Sequence, residues 1–275
     1  MNAENYFINA FRSGRSAIGD DGALIGEWVY SKDVFFENVH FKKTWLSPYQ
    51  VGYKAMMINL SDAVAMNAAP KYALLGVAMP KSMSFHQMKE LSEGLRTAAQ
   101  QFGVEIIGGD TISNVKLDLS VTVISEAGKK PLVRRGMKVG DWIAHTGNIG
   151  NSAKELRYLM AGGKVHSKSR FAMPVLRQEF VRKASRYLRS GMDVSDGIFS
   201  DIEKLCRASG VGIRFQRKVP KRIGCSGEEY EMLIAFSPRQ MPAVRRIAAL
   251  TRTPLKTIGR VRRGKFTNRC KAHHF

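Results

Sequence analysis

A chain of 275 residues with 44% hydrophobic residues, 25 glycines and 9 prolines can bury a full core in one large or two smaller domains, and it lacks the bias of a disordered sequence. Its 44 Lys and Arg against 23 Asp and Glu give a net charge of +21. The basic residues fall in separate local clusters (12–15, 168–170, 182–189 and 260–269), without zinc-finger spacing, a basic heptad region or an aromatic-interleaved RNA motif, so nucleic-acid binding is set aside as the main function in favour of a solvated basic surface that attracts anionic substrates. Cys206, Cys225 and Cys270 are odd in number and far apart, with no C-x-x-C pair, which argues against a disulfide framework and against a structural zinc. No apolar run approaches a membrane span and residues 1–15 lack an apolar signal core, so a cytoplasmic protein with no membrane partner is expected.

Residues 3–12 read as a short amphipathic helix and IGDDGA (18–23) as a turn with two adjacent acids, by itself an ordinary surface turn. Leu24–Tyr30 is predicted as a strand that Ser31-Lys32-Asp33 ends. VFFENVHF (34–41) is apolar; its His40 is a packed residue or, in the functional reading, a substrate contact. Residues 51–70 are the stretch around which the chain is organised: Tyr53, Met56, Met57, Leu60 and Val64 make one helical stripe, with Asn59 and Asp62 on a more polar side. Leu74–Met79 is a strand between two prolines, and Ser84 caps a helix to about Gln101 with Phe85, Met88, Leu91 and Leu95 inside. Val104–Ile107 is expected as a buried strand that delivers Asp110 of GGDT at its C-terminal end, the glycines allowing close approach of a ligand. Leu117–Ile124 alternates as a half-buried strand, and a domain boundary is expected after Gly128–Pro131.

In the second half Asp141–Thr146 reads as a strand, and GNIGNSAKELRYLMAG (147–162) as a Gly-rich turn opening a helix. A plain helix start is favoured there over a phosphate site, since no Walker A pattern occurs. Residues 175–187 are a basic helix. GMDVSDG places Asp193 and Asp196 three apart at a helix start, where Asp193 or Ser195 serves as a cap or as part of a dense oxygen cluster. Strands at 213–215, 232–236 and 258–261 and a helix at 242–250 complete the chain.

Seven of the ten Asp residues fall in small-residue clusters: GDD, SKD, SD, GGDT and DVSD. Mg²⁺ takes oxygen ligands in near-octahedral geometry and usually shares carboxylates with phosphate oxygens. The five clusters are therefore expected to converge on Mg²⁺ and a nucleoside triphosphate.

GDD, SKD…NVHF, GYKAMMINLSDAVAMNAAP, IIGGDT, RRG…GD, TGNIGNSA, MDVSDG and SGEEYE, in this order from about residue 18 to about residue 236, resemble thiamine-monophosphate kinase, within the aminoimidazole-ribotide synthetase-like superfamily. NVHF and the MDVSDG plus SGEEYE pair favour that enzyme over a selenophosphate synthetase-like or hydrogenase-maturation HypE-like ATP enzyme, and over a basic nucleic-acid-binding protein that kept the fold. The resemblance implies an α/β (α+β) fold of two domains. Residues 1–130 would form a metal-binding, nucleotide-binding and dimerisation domain whose sheet closes a barrel across a homodimer, and 131–275 a second α/β domain. It implies Mg²⁺, ATP as co-substrate, and direct phosphoryl transfer to thiamine monophosphate, with no dedicated protein nucleophile. Carried over by motif, Asp21, Ser31, Asp33, Asp62, Asp110, Asp193 and Asp196 would hold Mg²⁺. Gly109, Asp110, Arg134 and Ser195 would touch ATP; His40, Glu228 and, loosely, Phe275 would touch the acceptor. Three departures stand out: Lys32 occupies the place of a small hydroxyl residue, Glu229 replaces a usual Asp, and the chain is shorter than typical members, with a C-terminal stretch that matches poorly.

Overall fold

The computed structural model describes residues 3–11, 17–268 and 270. Its first half runs α1 (Ala3–Asn9), β1 (Ala23–Ile25), β2 (Trp28–Phe36), α2 (Pro48–Ala65), β3 (Ala68–Pro80), α3 (Phe85–Gln101), β4 (Glu105–Asn114) and β5 (Asp118–Ala127). These strands form a five-stranded sheet ordered β1-β2-β5-β3-β4, in which the β3–β4 pair is parallel. The second half runs β6 (Trp142–Thr146), α4 (Asn151–Met160), α5 (Gln178–Ala184), β7 (Ser190–Asp193), α6 (Ile198–Ser209), β8 (Gly212–Phe215), α7 (Lys221–Gly224), β9 (Met232–Phe236), α8 (Met241–Leu250) and β10 (Leu255–Arg262). Its five-stranded sheet, β7-β9-β6-β10-β8, is antiparallel throughout. Neither sheet closes into a barrel among the described residues.

α2 lies between the halves. It begins with a capping box, Ser47 and Gln50 each satisfying the other's backbone N–H, with Pro48 in the first turn. Met56 and Leu60 join the core under the first sheet, while Val64 and Ala65 join the core of the second. The expected single apolar stripe is therefore too narrow a description: the helix is buried on nearly every side, and Asn59 and Lys54 are both 0% exposed. A Cβ at Gly52 would strike the Leu91 carbonyl, and one at Gly94 the Tyr49 carbonyl, so these two glycines let α2 and α3 cross in backbone contact. α3 is capped by Ser84 and Gln87, and Leu91 and Leu95 are buried. Phe85, expected inside, is 90% exposed on its first residue.

Several elements differ from expectation for identifiable reasons. A turn at Gly26 (φ 60°) splits Leu24–Tyr30 into a hairpin, and Ser31-Lys32-Asp33 continue β2 instead of ending it. Alternation then puts Ser31 and Asp33 on the side of buried Val29 and Phe35, and Lys32 on the other, where its Nζ bonds Ser120 (2.6 Å) and Thr122 (3.3 Å). β3 includes both flanking prolines, with a ladder irregularity between Pro70 and Tyr72. β4 is not buried: it is the sheet edge, exposed along nearly its whole length, and pairing of Thr111–Asn114 with Val77–Pro80 puts GGDT inside the strand instead of at its end. Asp193 ends β7, and the following helix begins only at Ile198, so DVSDG is a strand-to-helix turn.

The cysteine expectation is also corrected. Cys225 and Cys270 form a disulfide, with Cα atoms 5.6 Å apart. The chain after β10 turns back over β8, where Gly212 meets Lys265 and Phe266 packs on Phe215, and this return brings together two cysteines that are remote in sequence. Cys206 is free and buried, its thiol pushed up to about 12 by burial and by Glu203. No helix among the described residues is long and apolar enough to cross a membrane.

Candidate metal and nucleotide site

Three carboxylates from three separate elements meet at the boundary between the halves. Asp21 comes from the turn before β1, Asp62 from the last turn of α2 and Asp193 from the end of β7; each offers an oxygen, and these atoms all lie within 4.8 Å of one another. Burial is the main reason that the carboxyls of Asp62 and Asp193 are held well above the usual range. Mutual repulsion adds to it: Asp33, Asp193 and Asp21 act on Asp62, and Asp21, Asp201 and Asp33 act on Asp193, against a Ser61 hydroxyl that donates to Asp193 Oδ2 at 2.6 Å. Asp33 thus belongs to the same field, on the face that β2 turns toward α2.

Arg134 supplies compensating charge. Its Nη2 and Nε donate to Asp21 Oδ1 at 2.6 and 3.1 Å, its Nη1 to the Gly19 carbonyl, and its backbone N–H to Asp20 Oδ1. Burial raises the Asp21 carboxyl and Arg134 opposes this; burial works against the guanidinium charge, and Asp21, with Asp193 and Asp201, more than restores it. Asn59, one turn before Asp62, is fully buried, and neither of its side-chain polar atoms has a hydrogen-bond partner among the described residues. Buried amides are normally satisfied. An oxygen-rich site with raised carboxyls and an orphaned amide beside it fits a hard divalent cation carrying water.

The remaining predicted residues separate into groups. Ser31 is buried and its hydroxyl donates to the Asn59 carbonyl at 3.3 Å. Asp196 accepts from Lys204 Nζ at 2.5 Å, and its N–H donates to Asp201. The Ser195 carbonyl accepts the Glu228 N–H at 2.7 Å, which joins the DVSD and SGEEYE turns. Glu228 pairs with Lys54 Nζ at 3.2 Å. His40 Nδ1 accepts the Phe36 N–H at 2.9 Å, which in the neutral ring leaves the proton on Nε2. Gly109 and Asp110 are not brought to this cluster: they lie mid-strand on the exposed edge, and Gly109 sits directly against the Leu75 backbone. Phe275 lies outside the described residues.

Glu229 has a local task. Its Oε1 accepts from the N–H groups of Gly150 (2.7 Å) and Ser152 (3.2 Å) and from the Ser226 hydroxyl, capping α4, whose own N-cap is a glycine. The GNIGNSA turn is therefore a helix start already occupied by a carboxylate.

Sequence reading passed over Lys54, Asp201, Lys204 and the buried pair in which Arg177 grips Glu231 through Nε (2.7 Å) and Nη2 (2.6 Å). The charged residue inside an apolar helical stripe was a usable signal for Lys54; the other pairings join elements too remote for spacing to reveal.

Asp201 gives a pH test. It is 0% exposed, and burial pushes its carboxyl from 3.8 up to about 6, with Lys204 opposing and Asp196 adding. The folded chain then holds a proton that the unfolded chain has released, so the associated stability is full below 3.8 and is lost as pH rises through about 6. Asp201→Asn is expected to flatten this decline in urea midpoints taken in chelator from roughly pH 4 to 7. A slope equal to the wild type's would contradict the assignment.

Comparison with known proteins places the fold and the family. The family model for AIR synthase related protein, N-terminal domain, matches residues 19–127, and that for the C-terminal domain matches 138–266. The thiamine-monophosphate kinase of Bacillus subtilis (strain 168) is 31% identical over 275 residues, covering 89% of this chain and 85% of that one. The crystal structure of thiamine monophosphate kinase from Aquifex aeolicus superposes with a TM-score of 0.83 at 23% identity, covering 97% of each chain. AaThiL complexed with AMPPCP and TMP gives 0.84 at 24% identity, covering 96% of this chain and 90% of that one. The hydrogenase maturation protein HypE of E. coli shares the fold at a TM-score of 0.73 and 15% identity, with 95% and 91% covered. By its match to the Bacillus enzyme along most of both chains, the protein belongs to the thiamine-monophosphate kinase family.

Proposed function

We propose that the chain transfers the γ-phosphoryl group of ATP to the phosphate of thiamine monophosphate, giving thiamine diphosphate and ADP. The observation that carries this reading is the meeting of Asp21, Asp62 and Asp193 beside Arg134 and the orphaned Asn59, in a chain whose relatives bear that enzyme's name. Asp21, Asp62 and Asp193, with Asp33, Ser31 and Asp196, would hold Mg²⁺, and Asp110 would join them only from a second copy of the chain. Bound there, Mg²⁺ supplies Lewis-acid neutralisation of phosphate charge. Gly109, Asp110, Arg134 and Ser195 serve the nucleotide, Arg134 through the positive charge that its bonds to Asp21 hold beside the carboxylates. His40, with Nδ1 engaged by a backbone N–H, presents Nε2–H to the acceptor phosphate, and Glu228 faces the acceptor's cationic body. A phosphate monoester is largely dianionic at neutral pH, so its oxygen attacks without a protein base, and the protein's task is positioning two polyanions.

The two functional units divide near residue 130, as 1–130 and 131–275, and the enzyme acts in the cytoplasm. It works as a homodimer through its first sheet. On the face away from α2, Tyr30, Val34, Tyr72 and Leu74 are each more than a third exposed, and the β4 edge leaves Ile106, Ile107 and Ile112 open. A second copy would cover that face, pair the edge into a shared barrel and place Gly109 and Asp110 at a subunit boundary. Light scattering at moderate salt should give twice 30.7 kDa; a mass of 30.7 kDa at micromolar concentration would defeat this assembly. For the activity itself, ATP and thiamine monophosphate incubated with the protein should yield ADP and thiamine diphosphate one to one, and ATP hydrolysis without thiamine diphosphate would refute it.

A further inference from the structure

Lys54 is 0% exposed in the middle of α2, where the mechanism above does not use it. Its Nζ meets Glu228 Oε2 at 3.2 Å and lies over the Phe171 ring, 3.8 Å from its centroid, and near Phe35 at 5.6 Å. Burial works against its charge, and Glu228 and then Glu155 work for it. A buried ammonium is costly unless paired, and aromatic faces add attraction. The pair joins residues 174 apart in sequence, one from each half of the chain.

The Glu228 end is held in a conformation that side chains avoid. Glu228 and Tyr230 have φ of 54° and 51°, and such geometry persists only where the surroundings fix it. Here the Glu228 N–H donates to the Ser195 carbonyl, and the Ser152 hydroxyl donates to the Glu228 carbonyl at 2.8 Å. The Glu228 side chain is 26% exposed while that of Lys54 is 0%, so the carboxylate bridges a sealed interior and open solvent. Phe35, beneath the same ammonium, also packs on His40, 5.6 Å between ring centroids.

We infer that Lys54 is a positioning residue for the phosphate acceptor: it holds one oxygen of Glu228 across the boundary between the halves, so that the other is presented to the cationic acceptor. The inference rests on the reading of Glu228 as an acceptor contact. It separates Lys54 from a mere packing lysine, which would affect stability and both substrates alike.

The test is a double-mutant cycle on the purified full chain, with KM for each substrate, kcat and thermal unfolding measured for Lys54→Met, Glu228→Gln and the pair. Lys54→Met is expected to raise KM for thiamine monophosphate by up to about 100-fold while KM for ATP stays within about 2-fold. The pair should be no worse than Glu228→Gln alone, because the two residues act as one unit. If Lys54→Met does not fold, Phe171→Leu, which removes the ring under the ammonium, should show the same split at smaller size, and an unchanged acceptor KM in it overturns the inference. Effects that multiply, or that fall equally on ATP and acceptor, overturn the role of Lys54 alone. A Glu228→Gln enzyme with wild-type acceptor KM overturns the assignment of Glu228 and this inference with it; a wild type that turns over no thiamine monophosphate overturns the functional reading as well.

Discussion

Asp62→Asn is expected to melt higher than the wild type in chelator and to lose phosphoryl transfer in Mg²⁺. Burial is the main cost of the Asp62 charge, and repulsion by Asp33, Asp193 and Asp21 adds to it. An amide keeps the shape and removes one negative charge, which relieves the metal-free protein by about 1–2 kcal/mol, or roughly 2–4 °C for a chain of this size. The same change takes a formal charge from the cation site, and metal-linked phosphate neutralisation contributes several kcal/mol, so turnover should fall about 100-fold or more. Differential scanning calorimetry in chelator and a steady-state assay in Mg²⁺ read the two arms. A variant that melts lower and retains activity would show that Asp62 is an ordinary structural carboxylate.

Arg134→Met should have the opposite signature. The guanidinium makes two bonds to Asp21, whose side chain is 3% exposed, and is the group that offsets burial of that carboxylate. Removing one partner of a buried pair leaves the other uncompensated and typically costs about 3–5 kcal/mol. Urea midpoints in chelator should drop accordingly, and the gap to the wild type should narrow in Mg²⁺, because a cation among Asp21, Asp62 and Asp193 takes over the neutralisation. An equal gap in Mg²⁺ and in chelator would mean that the cation does not see Asp21.

What the sequence made legible was local. The helix capped at Ser84 and the alternation of β5 follow from cap chemistry and period, and both appear as read, whereas the Ser47 cap that opens α2 is seen only in the structure. Several of the failures share one cause: burial set by neighbours that spacing does not report. The segment VEIIGG reads as an interior strand by composition, yet β4 is the sheet edge and its isoleucines are open. Asn59 looks polar and solvated on a helical wheel, yet it is sealed because α2 sits between two sheets. Lys32 raised a question about a metal-side position that strand alternation answers by turning it to the far face. Of the acidic clusters, one Asp each from GDD (Asp21), SD (Asp62) and DVSD (Asp193) converge and Asp33 of SKD joins their field, while Asp196 turns to Lys204. GGDT stands apart on the edge, where a second copy would have to bring it into use.

The central claim is that the carboxylates from α2, β7 and the turn before β1 hold the divalent cation that carries the nucleotide. Titrating AMPPCP into the protein by calorimetry, with Mg²⁺ and with chelator in its place, tests this most directly, with Asp193→Asn alongside. The wild type should bind in Mg²⁺ and weaken by about 100-fold or more in chelator, and Asp193→Asn should abolish most of that difference. Equal affinity with and without Mg²⁺, or a Mg²⁺ dependence that Asp193→Asn leaves intact, would contradict it.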